Sequence, residues 1–150
     1  MLPKQEYVGL LIGAARRRVK QSVTLRAEPH GLSTLQFWVL VTLNANPGIS
    51  LSELAERQRL EMPNASRVVA SLVKRRMARL KRDPHDRRRA QLELTPAGVA
   101  MARKLESAAD EIRVAVVAGM SAAEIETLRG LLRRVIGNLE QLDASLPSSR

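Results

Sequence analysis

The chain has 150 residues, of which 45% are apolar and 27% charged, a balance typical of one globular domain with its own core. It contains no cysteine, which excludes disulfides, thiol redox sensing and cysteine-ligated zinc. Only 2% of the residues are aromatic and the net charge is +10, so the composition favours small-residue helical packing and a polyanionic partner.

Several other classes of protein find little support. His30 and His85 belong to no ligand-spaced cluster, so we expect no metal and no cofactor. The longest nearly apolar run, residues 35–43, is far shorter than the roughly 20 residues that cross a bilayer. Residues 16–18 are arginines where a signal peptide needs small neutral residues, which predicts a cytoplasmic protein. No nucleophile with a paired base and no phosphate-binding glycine loop is recognisable, so we do not expect an enzyme.

Apolar periodicity and helix-start signals predict six helices. In chain order they span residues 4–27, 33–45, 51–58, 62–76, 96–118 and 122–145. Three starts are capping boxes, in which a serine is followed three residues later by Glu or Gln. These pairs are Ser33 with Gln36, Ser50 with Glu53 and Ser121 with Glu124. Thr95 before Pro96 marks a fourth start, since proline at the first helical position loses no hydrogen bond.

A β hairpin is predicted between the fourth and fifth helices. Residues 78–82 and 90–95 alternate apolar and polar side chains, and "DPHDRRR" forms the loop between them. The alternation puts Ala78, Leu80, Leu92 and Leu94 on one face.

The helix at 62–76 has two distinct faces. Its apolar side consists of Ala65, Val68, Val69, Leu72 and Val73. The other side carries the candidate DNA contacts Asn64, Ser66, Arg67, Ser71, Lys74 and Arg75, with the small Ala70 beside them. Asn and Arg pair with base edges, whereas the cations at the far end suit phosphates. An ordinary amphipathic surface helix is the alternative interpretation.

Positive charge is concentrated in this same region. Residues 67–89 contain ten Lys or Arg and only two acids, Asp83 and Asp86. Such a field attracts a polyanion, although a merely solvated basic face has the same composition. A short helix, a turn, a second helix and a hairpin follow the order of a winged helix-turn-helix, and this order favours nucleic-acid binding.

Residues 51–98 resemble the DNA-binding core of the MarR (multiple antibiotic resistance regulator) family of transcription factors. The most specific match is Asp86-Arg87-Arg88 followed by Leu94-Thr95 and Gly98, the wing signature of the family. Ser66-Arg67 and Leu54-Ala55 match the patterns of the reading helix and the helix before it. The resemblance implies a mainly α, winged-helix fold of the α+β type, with six helices and a two-stranded wing.

The resemblance also assigns roles in the wing. It implies that Arg88 enters a DNA minor groove and that Asp86 holds this arginine, with Arg87 and Arg89 as further contacts. A turn-forming role for Asp86 is the alternative, and both roles are compatible. Two residues depart from the family pattern, since Arg76 replaces a usual glycine and Leu80 replaces a frequent basic residue. At Arg76 the backbone must be left-handed or the helix must end differently.

Long apolar stripes in the terminal helices predict a homodimer. One stripe runs along residues 122–146 and another contains Leu105, Ala109, Ile112 and Val116, more than one small domain is expected to cover. The candidate dimer residues are Leu10, Leu11, Leu128, Leu132, Val135 and Leu139. An intramolecular helical bundle is the alternative. The resemblance implies a two-fold dimer that spaces two reading helices about 34 Å apart on a palindromic site.

The resulting hypothesis is a single MarR-type domain over residues 1–150, with a DNA-binding core at 32–98 and a dimerisation region at 4–27 and 99–146. According to this hypothesis, the protein is a homodimeric transcriptional repressor that binds double-stranded DNA. The resemblance further suggests release by a small aromatic or phenolic ligand, with candidate pocket residues Tyr7, Arg16, His30, Phe37 and Trp38. Packing or surface roles are the alternative for these five. The rival function is a basic helical module that binds an acidic protein or RNA without operator specificity.

Overall fold

The computed structural model describes residues 6–86 and 90–147. The helices are α1 Val8–Ala27, α2 Thr34–Ala45, α3 Leu51–Gln58, α4 Met62–Lys74, α5 Pro96–Val116 and α6 Ala122–Ala144, and a single 3-10 turn, Glu28–His30, follows α1. The strands are β1 Ala78–Arg82 and β2 Ala90–Leu94. The chain divides into two compact units, residues 1–113 and 114–150.

The predicted mainly α winged-helix fold is confirmed, and so are all three capping boxes. In each box the serine hydroxyl accepts from the amide three residues on, while the Gln or Glu side chain accepts from the serine amide. The predicted start of α1 at residue 4 was wrong, because Tyr7 is extended and precedes the helix. Of the other eleven helix ends, seven coincide with the prediction and four differ by one or two residues, as expected where final turns fray.

α4 ends two residues earlier than predicted, and Arg76 is the reason. Its φ of +59° lies in the left-handed region, one of the two outcomes expected for this departure from glycine. The Arg76 amide donates to the Val73 carbonyl at 2.9 Å, and the Met77 amide donates to the Leu72 carbonyl at 2.9 Å. These two bonds form a Schellman motif, which turns the chain sharply from α4 into β1.

The hairpin is antiparallel, with Ala78 opposite Leu94 and Leu80 opposite Leu92. The four side chains therefore share one face, as predicted. Ala78 and Leu92 are buried, but Leu80, which lies opposite Leu92 on the outer strand β1, is 54% exposed. β2 is also held at its other edge, since the Leu92 amide donates to the Ile49 carbonyl and the Gly48 amide donates to the Leu92 carbonyl.

The core of the first unit is built from α1, α2, α3, α4, the hairpin and α5. It contains Phe37, Leu40, Leu43, Leu54, Leu72, Leu92 and Leu105 as large, fully buried side chains. The α5 stripe was predicted to need a second copy, and this was wrong for most of it. Leu105, Ala109 and Ile112 are buried within the chain's own core, whereas Val116 at the end of the helix is exposed.

Candidate nucleic-acid interface

α3 and α4 form a tight helix-turn-helix. α3 ends in the same way as α4, with the Leu60 amide donating to the Ala55 carbonyl at 2.8 Å and Arg59 at a φ of +50°. Leu54 and Ala55 of α3 and Ala65 of α4 are buried at the junction. This packing fixes the angle at which α4 leaves the turn, and it presents the opposite face of α4 to solvent.

The exposed face of α4 carries most of the residues predicted to read DNA. Asn64, Ser66, Arg67 and Lys74 are all exposed, and so is Ala70. The Arg67 guanidinium lies 3.5 Å from the Asn64 side-chain oxygen, so the two polar groups are neighbours on the outward face. A flat polar surface with one cation and one amide at its centre has the chemistry that base edges require.

Ser71 is half-buried and Arg75 is exposed, and both bond to a part of the chain outside α4. The Ser71 hydroxyl donates to the Val68 carbonyl at 2.6 Å and accepts from the Gln36 side chain at 3.0 Å. The Arg75 guanidinium donates to the Gly31 carbonyl at 2.8 Å. Both side chains thus connect α4 to the start of α2, a role that the faces of a helical wheel do not reveal.

Val73 was predicted on the buried side of α4 but is 39% exposed. It lies in a groove of about 370 Å³ between α4 and β1, together with Leu51, Ser66, Val69, Ala70, Lys74 and Leu80. Leu80 is 54% exposed and forms the β1 side of this groove. The departure from the family pattern at Leu80 therefore makes the surface between reading helix and wing apolar.

The strands of the wing carry three exposed cations, Arg79, Lys81 and Arg82. Glu93 lies opposite Arg79 and forms ion pairs with Arg79 at 3.1 Å and with Lys81 at 3.7 Å. At the start of the loop the His85 amide donates to the Asp83 carboxylate at 2.9 Å, which makes Asp83 a turn-forming residue. Asp86 is half-buried. Arg87, Arg88 and Arg89 lie outside the described residues, so the wing-tip contact remains a prediction.

A junction of four residues connects the wing to α4 and α5. The Thr95 hydroxyl donates to the Arg76 carbonyl at 2.7 Å and accepts from the Gly98 amide at 3.1 Å. The Thr95 amide donates to the Met77 carbonyl at 3.0 Å. Thr95 therefore caps α5 and stabilises the left-handed turn at the same time, which gives a physical reason for a Thr and a Gly in the wing signature.

The candidate ligand residues are not brought together as a group. Arg16 and Trp38 line a cavity of about 510 Å³ between α1 and α2, with Val19, Lys20, Val23, Thr34, Leu35 and Leu60. Phe37 is fully buried in the core, while Tyr7 is 71% exposed and neither Tyr7 nor His30 lines the cavity. The Arg113 guanidinium carbon lies 5.4 Å from the centre of the Trp38 ring. Lys20 was missed, although its spacing four residues after Arg16 on one helix indicates a shared face.

The candidate dimer residues lie in two helices. Leu10 and Leu11 are exposed near the start of α1, and Leu132 and Leu139 are exposed on α6. Leu128 and Val135 are half-buried. Within the described part of the chain, no side chain of α6 is buried, although the helix carries an apolar stripe along 23 residues.

Among residues 6–86 and 90–147, no cluster of three or more His, Asp or Glu side chains is arranged to hold a metal ion. Every helix in these ranges falls short of the length and apolarity that crossing a bilayer requires.

The reading face on α4, the tight turn from α3 and the two-stranded wing define the class of protein as winged helix-turn-helix. Comparison with known proteins narrows the class. The model of the MarR family matches residues 30–89. A Thauera aromatica protein, named as the proposed transcriptional regulator of the hcr operon, is 31% identical over 122 residues, which cover 81% of this chain and 72% of that protein. The chain belongs to the MarR family of transcriptional regulators.

Two further proteins resemble the chain over most of its length. The HTH-type transcriptional repressor NicR of Pseudomonas putida is 28% identical over 135 residues, which cover 90% of this chain and 85% of NicR. The solved structure of BpsR from Bordetella bronchiseptica, a protein whose DNA binding is regulated by 6-hydroxynicotinic acid, has a TM-score of 0.74 and 26% identity. The structural match covers 90% of this chain and 96% of the BpsR chain.

Proposed function

We propose that the protein is a homodimeric repressor that binds a palindromic operator in double-stranded DNA. The observation that carries the proposal is the outward face of α4, where Asn64 and Arg67 are exposed and lie 3.5 Å apart. The side chains on this face can bond base edges, and the flanking Lys and Arg side chains can neutralise phosphates. The similarity to NicR, which is a transcriptional repressor, supports repression rather than activation.

The unburied stripe of α6 supports dimerisation. Leu132, Leu139 and Leu142 are exposed by 39%, 53% and 61%, and apolar helix faces of this length gain stability when they are removed from water. A second copy is the proposed partner because a two-fold pair of reading helices matches a palindromic site. In this proposal, residues 32–98 form the DNA-binding core, and residues 4–27 and 99–146 form the dimerisation region.

Within the wing we propose that Arg88 enters the minor groove and that Asp86 orients it, with Arg87 and Arg89 at neighbouring phosphates. The proposal rests on the family signature together with the anchored hairpin that carries the loop. A carboxylate two residues away reduces the entropy that a flexible arginine loses on binding, and a narrow A/T-rich groove concentrates negative potential.

We further propose that a small aromatic acid regulates DNA binding through the cavity between α1 and α2. Trp38 supplies an aromatic wall, and Arg16 and Lys20 supply two cations at its edge, a combination that suits a ring with a carboxylate. BpsR supports this class of ligand, since 6-hydroxynicotinic acid is an aromatic acid. Tyr7, His30 and Phe37 have no part in this refined proposal because they do not line the cavity.

The test is a competition experiment with a duplex selected by the wild-type protein from a random pool. A retained preference for the selected palindrome over excess random duplex and single-stranded RNA supports the repressor. Equal binding to every polyanion, with a steep dependence on salt, identifies the basic interaction module instead. Titration of the complex with 6-hydroxynicotinate, with nicotinamide as an uncharged control, tests the ligand separately.

A further inference from the structure

Gln36 joins two helices through one side chain. Its oxygen accepts from the Ser33 amide at 3.0 Å, which closes the capping box of α2. Its nitrogen donates to the Ser71 hydroxyl at 3.0 Å, and Ser71 lies on α4, 35 residues away in the chain. The Ser71 hydroxyl donates in turn to the Val68 carbonyl. The Gln36 amide therefore caps α2 and binds α4 at once, whereas Glu53 and Glu124 in the other two boxes bond only their own caps among the described residues.

Arg75 makes a second connection between the same two elements. Its guanidinium donates to the Gly31 carbonyl at 2.8 Å and contacts the Gln36 oxygen at 3.5 Å. Gly31 has a φ of +66° and forms the left-handed turn between the 3-10 turn and α2. We refer to Gly31, Gln36, Ser71 and Arg75 as the α2–α4 cluster. It ties the final turn of α4 to the first turn of α2 from two directions.

The position of the α2–α4 cluster matters because α4 reads DNA in the proposed function. A recognition constellation works only when it is held within about 0.5 Å of its productive position. The side chains of Asn64 and Arg67 face outward, while those of Ser71 and Arg75 are engaged with the protein itself. Two polar residues of the reading helix thus hold the helix in place.

We propose that Gln36 is a positioning residue of the reading helix. Ser71 and Arg75 affect DNA binding by holding α4 in place through their bonds to Gln36 and Gly31, and they touch neither bases nor phosphates. This inference rests on the proposed DNA-binding function. It adds a regulatory consequence, because Thr34, Leu35 and Trp38 of the same two turns of α2 line the cavity proposed for the aromatic acid. A ligand that displaces these turns also displaces Gln36, and with it α4.

The first experiment compares Gln36→Ala with Gln36→Glu and with the control Glu124→Ala. Gln36→Ala should lower affinity for the selected duplex roughly three- to tenfold, the effect of about one net hydrogen bond, and should leave affinity for random duplex unchanged. Gln36→Glu should keep most of the wild-type affinity, since a carboxylate accepts from the Ser33 amide and Arg75, and the Ser71 hydroxyl can turn from the Val68 carbonyl to donate to it. Glu124→Ala removes the equivalent capping bond from α6 and, at a protein concentration where size exclusion shows every variant to be dimeric, should leave the ratio of the two affinities unchanged. An unchanged ratio for Gln36→Ala would overturn the proposal.

The second experiment separates positioning from direct contact. If Arg75 binds a phosphate, Arg75→Ala reduces the salt slope of binding by about one counterion, whereas the proposal expects an unchanged slope. For Ser71→Ala, the proposal expects little additional loss of affinity in a Gln36→Ala background. A reduced slope, or an additive loss in the double variant, assigns these residues to the DNA surface and overturns the proposal for them.

A third measurement needs no DNA and keeps the inference distinguishable from the proposed function. Hydrogen exchange at the backbone amides of Phe37, Arg75 and Met77 should be faster in Gln36→Ala than in wild type, and unchanged in Glu124→Ala. Unchanged exchange in Gln36→Ala would show that the α2–α4 cluster does not hold α4 in place, and this result would overturn the proposal. If the wild type prefers no duplex at all, the proposed function fails, and the exchange data alone decide whether Gln36 holds α4.

Discussion

Gly98 lies against the carbonyl of Met77 so closely that a Cβ at residue 98 would be 1.9 Å from the Met77 oxygen. The same carbonyl accepts from the Thr95 amide, and the Thr95 hydroxyl binds both the Arg76 carbonyl and the Gly98 amide. The first turn of α5 therefore packs directly on the backbone that connects α4 to the wing. This contact sets the position of the wing relative to the reading helix, and only glycine leaves room for it.

Gly98→Ala should destabilise the protein, because backbone atoms rather than a flexible side chain must move to admit the methyl group. We expect a loss of about 1–3 kcal/mol in the free energy of unfolding, the usual range for overpacking. The matched control is Gly130→Ala in α6, where an added Cβ meets nothing within 4 Å. The control should gain up to about 1 kcal/mol from helix propensity. Urea denaturation at one protein concentration measures both, and equal stability of the two variants would contradict this account.

Arg76 pays a conformational cost at its φ of +59°, and a glycine should remove it. A left-handed non-glycine residue costs about 1–2 kcal/mol, part of which is offset because glycine has more freedom in the unfolded chain. Arg76→Gly should therefore raise the free energy of unfolding by up to about 1 kcal/mol. Arg76→Ala removes the same charge but keeps the unfavourable backbone, so it should show no gain. A comparable rise in both variants would point to charge repulsion instead.

Local chemistry and long-range packing differ in how far the sequence reveals them. The three capping boxes, the hairpin and the left-handed alternative at Arg76 depend on neighbours within a few residues, and each was predicted from them. Arg75 donates to Gly31, 44 residues away, a bond that charge and helical spacing do not reveal, and the salt slope of Arg75→Ala decides whether it also contacts a phosphate. For the same reason the covered stripe of α5 was assigned to a second copy, although Leu105 packs in the chain's own core.

Arg67 is expected to carry base recognition in the proposed complex. Arg67→Ala should lower affinity for the selected duplex by about 1–3 kcal/mol and relax the preference at one base-pair position in each half-site. Arg103→Ala removes one exposed positive charge from α5 and serves as the control for net charge. Fluorescence anisotropy on duplexes that vary one base pair at a time measures both effects. A uniform loss across all duplexes would make Arg67 a phosphate contact rather than a base reader.

Substitutions at Arg88 test whether the wing enters the DNA minor groove. Arg88→Ala should weaken binding to the selected duplex, and Arg88→Lys should recover only part of it, because arginine is favoured in a narrow minor groove. The loss should be largest on duplexes whose flanks are A/T-rich and smallest when those flanks are replaced by G/C pairs. Asp86→Asn should produce a smaller loss in the same direction. If flank composition has no influence on the effect of Arg88→Ala, the side chain does not enter the groove.

The stripe of α6 predicts the oligomeric state. Leu132 is 39% exposed, and an aspartate at this position would place a charge inside the proposed dimer interface, where it has no partner. Leu132→Asp should therefore yield monomers by size exclusion with light scattering, and it should weaken binding to a full palindrome more than binding to a single half-site. Gln141→Asp introduces the same charge change on the opposite face of α6 and should remain dimeric. A Leu132→Asp variant that stays dimeric at micromolar concentration would place the interface elsewhere, and the palindromic operator would then need a different pairing of subunits.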